Sequence, residues 1–574
     1  MITIILSATV IGSFIFGLIP IVLFTSSMDC RTCMYSIDLL NTKFNVDVPP
    51  KFIFELAKKS CKAFKLKPED ECDGIFNTAI KQASYILEKE HDQNPAGYAF
   101  DICTTARRMT DFTWEYTGMY EGFLVGEKCA DSNDTNGFNT WEVKIPEYPS
   151  KPPIIPQSDP PSNVSRYKVL HLTDVHMMLD YIVGSKVDCG ADYCCYNGTV
   201  MADLEEESAG YWGSYKCSIP FRLFEALLDQ IVKNHPENFD WIIYTGDSPG
   251  SNYWAYSRTD VFEMEEKVLN TITTKFPNIP VYVSLGNHDY LPINFLPTHD
   301  EKHTVLSGKW LYDNLVNLEW AQRSLDQKSR SQWADQGFFS KSINKNLRVI
   351  SLNNNFCLAE NGVTLLHKSD PGDHLHWLMT ELLESERRGE KVHLISHQPP
   401  MDCYPRWRKE WTKVMIRFES TVTSIFLGHQ HVDYFQIWHN ENGNPSILAF
   451  IGPSVTIQDK RNPEFKVYHI ASDINFPMSF GKVINHETWT SDFFNQSRTK
   501  NDYPSWYKLY DGHDLGVAGT VSADAYKQVL RRAMTDDLLY KKLVLYYNQG
   551  VDKQLPNDRR KFLCNFIYNI KCDL

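Results

Sequence analysis

Short apolar, β-branched and aromatic runs recur through the middle of the chain, at Val169 to Thr173, Trp241 to Thr245, Val281 to Leu285, Arg348 to Leu352 and Val392 to Ser396. They alternate with stretches of helical apolar spacing, which predicts strands and helices interleaved in a layered α/β domain. The period changes at both ends. Phe76, Ile80, Ala83 and Leu87 recur at helical intervals and predict an all-α unit ahead of the sheet. From about Trp489 the strand signals stop, and amphipathic stretches around Ala523 to Tyr547 predict a helical C-terminal subdomain. Between the first two units lie Pro146, Pro149, Pro152, Pro153, Pro156, Pro160 and Pro161. Proline lacks a backbone donor and fixes its φ, so this segment reads as a semi-rigid linker.

The reading divides the chain into 1–27, a signal peptide or N-terminal anchor; 28–130, a small helical domain; 131–165, the linker; 166–488, the α/β domain; and 489–574, the helical subdomain. Ile2 to Phe24 is mostly apolar and is followed by the small residues Thr25, Ser26 and Ser27, which suits signal-peptide cleavage. The run is nearly long enough to span a bilayer and lacks an early Lys or Arg, so an uncleaved anchor is the competing reading. Either way the expected address is secreted or lysosomal. The 14 cysteines fit an oxidising lumen, where neighbouring thiols pair. Sequons at Asn133, Asn163, Asn197 and Asn495 agree with it. A formal charge of -13 leaves no general basic surface for a phosphate backbone, which argues against polynucleotide binding.

Possible metal ligands stand at the ends of predicted strands: Asp174-Val175-His176, Gly246-Asp247, Gly286-Asn287-His288, His397 and Gly428-His429-Gln430-His431. Ligands in open α/β sheets gather beyond the carboxyl ends of strands, so distant residues can converge there. Taken singly, each is more often a turn, a helix cap or a satisfied core residue. The ordered set is much more specific. His171 and His393 lie within predicted strands, complete no motif and receive no role. Imidazole and carboxylate donors without thiolate are compatible with zinc, iron or manganese. Two cations about 3.5 to 4 Å apart activate a water and neutralise phosphate oxygens during in-line attack. An alkoxide leaving group then needs an acid, for which His288 is the natural candidate.

The order D-x-H, G-D, G-N-H-[DE], lone His and G-H-x-H resembles the calcineurin-like metallophosphoesterases over roughly Val169 to Tyr468. That resemblance implies a metallophosphoesterase β-sandwich flanked by helices and a two-metal centre. One ion would sit on Asp174, His176, Asp247 and His431, the other on Asp247, Asn287, His397 and His429, and both would be zinc. Cys30, Cys33, Cys61, Cys72, Cys103 and Cys129 resemble a saposin-type domain, which implies the pairs Cys30–Cys129, Cys33–Cys103 and Cys61–Cys72. Gly210-Tyr211-Trp212-Gly213, the cysteines at 189, 194 and 195, Asn353-Asn354-Asn355-Phe356-Cys357 and Asn485-His486-Glu487-Thr488-Trp489 look like the acid sphingomyelinase family. There the implied pairs are Cys189–Cys194, Cys195–Cys217, Cys357–Cys403 and Cys564–Cys572, and the implied activity is hydrolysis of sphingomyelin to ceramide and phosphocholine.

A saposin-like domain has a physical purpose beside such a site. Drawing about 30 buried methylenes into water costs roughly 24 kcal/mol at about 0.8 each, so something must shield the chains of a sphingolipid substrate at a membrane surface. Ser251 departs from the pattern, which leads one to expect histidine there. Serine can donate a hydrogen bond but cannot carry positive charge. Two alternatives therefore stay open: a phosphodiesterase for nucleotides or other soluble phosphate esters, and a non-catalytic lipid-binding protein.

Overall fold

The computed structural model describes residues 58–59, 61–62, 67–93, 141–147, 149–152 and 164–574, apart from 368, 478, 494–498 and 518. The signal or anchor segment and the expected pairs Cys30–Cys129 and Cys33–Cys103 lie outside the described residues.

Two six-stranded sheets form the α/β domain. One runs, edge to edge, Trp506–Asp511, Val483–Ser491, Glu464–Ala471, Arg166–Leu172, Trp241–Tyr244 and Val281–Val283. The other runs Tyr434–His439, Pro445–Ile451, Val422–Leu427, Lys391–Ile395, Leu347–Ser351 and Phe339–Asn344. The site-bearing strands pair in parallel, Arg166–Leu172 with Trp241–Tyr244 and then Val281–Val283, and Lys391–Ile395 with Val422–Leu427. Trp241–Tyr244 and Val422–Leu427 are buried at every position, as expected of parallel strands covered on both faces.

The sheets face each other across one core. Trp241 meets His393 at 6.0 Å, and Phe426 meets both His171 at 6.3 Å and Tyr468 at 4.8 Å, ring centre to centre. Ser351 Oγ donates to the Val283 carbonyl at 2.7 Å, a further tie between the sheets. His171 Nε2 meets Thr245 Oγ1 at 2.9 Å and His393 Nε2 meets the Gly481 carbonyl at 2.6 Å, so both strand histidines are engaged within the core.

The C-terminal reading needs correction. Val483–Ser491 runs through the expected boundary at 488/489, and Trp506–Asp511 adds an edge strand beyond it. Its weak signal has a cause: Tyr507 and Lys508 are exposed on the open edge, which breaks the alternation a half-buried strand shows. The helices Ala523–Ala533 and Asp537–Tyr547 do follow. They share the main core, with Tyr526 stacked on Phe435 at 4.0 Å and Tyr546 on Tyr510 at 4.0 Å.

Part of the linker is also tied down, since the Pro149 carbonyl accepts from Arg417 at 2.7 Å and the Val143 N–H donates to Glu410 at 3.0 Å. Within the segment 28–130 expected to form a helical domain, the described helix Glu69–Gln93 docks on the α/β domain. Gly74 lets it approach so closely that an added Cβ would lie 2.3 Å from the Trp254 carbonyl oxygen. Farther along, Ile86 packs with Leu306 and Val363. The chain pairs Cys61 with Cys72, Cys189 with Cys194, Cys195 with Cys217, Cys357 with Cys403, and Cys564 with Cys572.

Candidate metal centre

Each predicted ligand follows the carboxyl end of a parallel strand, and the two sheets aim these loops at one another. Donor atoms of Asp174, His176, Asp247 and His431 lie within 4.8 Å of one another, and so do those of Asp247, His397 and His429. Asp247 belongs to both groups. His431 Nε2 stands 3.2 Å from Asp174 Oδ1, His397 Nε2 3.2 Å from Asp247 Oδ2, and His176 Nε2 3.5 Å from that same oxygen. His176 and His431 bring their Nε2 atoms to 2.9 Å, and His429 Nδ1 stands 3.3 Å from His397 Nε2. Asn287 Oδ1 is buried without a hydrogen-bond partner. A buried orphan acceptor is costly. Buried lone pairs that converge at this spacing around two carboxylates fit a pair of divalent cations, with Asp247 between them.

The backbone is distorted to achieve this. Asp174, His176, Asp247, His429 and His431 all have left-handed φ, between 47° and 73°. For non-glycine residues such conformations cost of order 1 to 3 kcal/mol each and cluster at functional sites. Two motif glycines are required by close approach. A Cβ on Gly286 would lie 2.0 Å from Asp247 Oδ1, and one on Gly428 would lie 2.1 Å from Thr173 Oγ1 and 2.8 Å from Asp174 Oδ2.

The charges are set by burial and by each other. Burial opposes a charged His397, but the carboxylates of Asp247 and Asp174 more than offset it and raise the ring to about 10. Burial and the neighbouring His397 instead push His429 down to about 3. Asp174 stays below the usual carboxylate range: burial would raise it, but His397 and His431 hold it down. The two carboxylates thus sustain a cationic His397 while His429 is held neutral.

Sequence reasoning missed the residues that lock the loops. Asp289 Oδ2 accepts the N–H groups of Gly286 at 2.7 Å and Asp247 at 3.2 Å, while its Oδ1 accepts that of Ser248 at 3.0 Å. One carboxylate therefore ties two ligand loops together, and its place directly after His288 in the G-N-H-[DE] pattern was the available signal. Asn355 Nδ2 donates to the carbonyls of Leu285 at 3.0 Å and Gly286 at 3.2 Å, and its Oδ1 accepts from Gln398, next to His397, at 2.8 Å.

His288 stands beside the cluster. Its ring meets His176 edge-on at 4.6 Å, its backbone N–H donates to Asp247 Oδ1 at 2.8 Å, and its ring Nδ1 is buried without a hydrogen-bond partner. Burial holds its pKa below the ordinary imidazole value, although Asp247 pulls the other way. Ser251 is buried, accepts nothing from His288, and is engaged elsewhere: its N–H donates to Ser218 Oγ at 2.8 Å and its Oγ to Gln458 Oε1 at 3.1 Å.

The calcineurin-like phosphoesterase model matches residues 167–433. The chain is similar to the sphingomyelin phosphodiesterase of Bos taurus, 34% identical over 436 residues that cover 75% of this chain and 67% of that one. To the sphingomyelin phosphodiesterase of Homo sapiens it is 33% identical over 435 residues, with the same 75% and 67% coverage. Similarity to sphingomyelin phosphodiesterase 1 of Caenorhabditis elegans is 28% over 552 residues, covering 93% of this chain and 90% of the relative.

Proposed function

The chain belongs to the sphingomyelin phosphodiesterase family, as a phosphodiester hydrolase with a calcineurin-like phosphoesterase domain, and on that premise we propose that it hydrolyses sphingomyelin to ceramide and phosphocholine. The observation that carries the reading is the convergence of Asp174, His176, Asp247, His397, His429 and His431 on one buried cage; the buried, unpartnered Asn287 oxygen precedes His288, whose backbone N–H is bonded to Asp247. We assign Asp174, His176, Asp247 and His431 to one ion and Asp247, Asn287, His397 and His429 to the other, with zinc as the proposed metal. Bound there, two divalent cations would neutralise phosphate charge and make a water nucleophilic near neutral pH.

His288 is the proposed general acid. Its contact with His176, next to the ligand turn, supports that role. Because its pKa is depressed, the protonated form gains population as pH falls, which suits an acidic lumen and a secreted or lysosomal setting. Ser251 contributes no acid, since its hydroxyl is spent on Gln458. The docked helix Glu69–Gln93 reaches the 253–255 turn just beyond Ser251. That position supports a role for the N-terminal domain in holding lipid chains while the headgroup ester enters the cage.

The test is incubation of the metal-loaded chain with a mixed lipid extract plus nucleotides, with products followed by mass spectrometry. Phosphocholine and ceramide are expected. Nucleotide products alone would overturn the substrate assignment, and a fully metallated but inert protein would favour the lipid-binding alternative that Ser251 raises.

A further inference from the structure

The two halves of the cage are unequally charged. On the ligand assignment proposed above, one half has the carboxylates of Asp174 and Asp247, while the other has the shared Asp247 and the neutral amide of Asn287. The rear contacts of the imidazoles differ in the same sense. His176 and His397 turn Nε2 toward the carboxylates and rest Nδ1 on backbone carbonyls, Pro249 at 3.1 Å and Thr245 at 2.5 Å. His429 is reversed: Nδ1 faces His397 Nε2, and its rear Nε2 faces a carboxylate, with Asp402 Oδ2 at 4.0 Å.

Asp402 is 3% exposed. It ends the turn Pro400–Asp402, directly before the Cys403–Cys357 bridge. Its Oδ2 also accepts from Gln430 Nε2 at 2.6 Å, the residue between His429 and His431, and its carbonyl accepts the Ala359 N–H at 2.9 Å. The Gln430 bond holds the side chain, while the Ala359 bond and the adjoining disulfide hold the backbone that carries it.

We propose that Asp402 is a positioning residue that orients His429, keeps the ring proton on Nε2, and supplies the negative charge that the Asn287 half of the cage lacks. A carboxylate behind a ligating imidazole raises the ring's donor strength, and loss of such partners typically weakens metal affinity about 10- to 100-fold. The inference rests on the two-ion reading above.

The full chain is dialysed against zinc buffers of graded free concentration, and bound metal per chain is counted by mass spectrometry. Wild type should hold two ions. In Asp402→Ala one ion should leave at a free zinc concentration about 10 to 100 times higher than in wild type, with the other unaffected. Asp402→Asn keeps an acceptor for Gln430 without the charge and should fall between. Nitrogen-15 spectra should show the His429 proton on Nε2 in wild type and a loss of that preference in Asp402→Ala. If both variants retain two ions at wild-type affinity, the proposal fails; so does it if both ions weaken together with thermal stability, because that marks a purely structural role. If Asp402→Ala does not fold, Asp402→Asn decides by the same count. A wild type that binds no ion would instead sink the metal-centre reading itself.

Discussion

Replacing Gly286 by alanine tests how tightly the cage is built. Gly286 is not among the positive-φ residues, so its backbone accepts a side chain and the effect isolates crowding. The new Cβ would stand 2.0 Å from Asp247 Oδ1 and 2.7 Å from its Cγ, against ordinary contacts that begin near 3.4 Å. The obstacle is not a flexible tip. Asp247 Oδ1 accepts the His288 N–H at 2.8 Å, and the Asp247 N–H is held by Asp289 at 3.2 Å. Relief therefore requires the carboxylate or the 286–288 turn to shift by about 1 Å, a misplacement that can cost about 100-fold in rate. Overpacking should cost only about 1 to 3 kcal/mol of stability. kcat/KM on a soluble chromogenic phosphodiester, with metal content and thermal unfolding measured on the same sample, should show a fall of about 100-fold in a folded protein. Gly389→Ala is the control, since Gly389 has φ of 70° and nothing within 4 Å of the added atom, so stability should drop while turnover stays. A Gly286→Ala enzyme with wild-type kcat/KM and full metal would refute the crowding argument.

Other outcomes follow from the same geometry. His288→Ala should lower kcat by about 100- to 10,000-fold with metal content unchanged; an active variant would remove His288 from the proton-transfer role. Ser251→His should raise sphingomyelin turnover if serine is a simple loss, and no gain would mean that the Ser218 and Gln458 contacts have rebuilt the pocket. Burial and the nearby Asp402 carboxylate push Glu360 up to about 8. Between an unfolded value of about 4.3 and that folded value, the native chain holds a proton that the unfolded chain has released, so this group's contribution to stability falls as pH rises. The thermal midpoint should therefore decline from pH 5 to pH 8, and Glu360→Gln should flatten that decline; identical slopes would contradict it.

Much of the site was legible because its chemistry needs fixed residue types at strand ends. Asp174, Asp247 and His429 announce themselves through short motifs, and His397 through its place in their order, just past the ends of buried parallel strands whose apolar runs are equally plain. The strain is not legible, because nothing in the letters of Asp174 or His431 specifies a left-handed φ. Nor are Asn355 and Asp402, since each acts through a three-dimensional neighbour far away in sequence. Trp506–Asp511 escaped for a different reason: an open edge strand can expose tyrosine and lysine without losing its ladder to Val483–Ser491.

The central claim is that two cations share Asp247. Crystals of the zinc-loaded chain, measured at the zinc absorption edge, give the most direct test. Two anomalous peaks about 3.5 to 4 Å apart, one on each side of that carboxylate, are predicted. A single peak, or zinc bound away from Asp174, Asn287 and His429, would contradict the account.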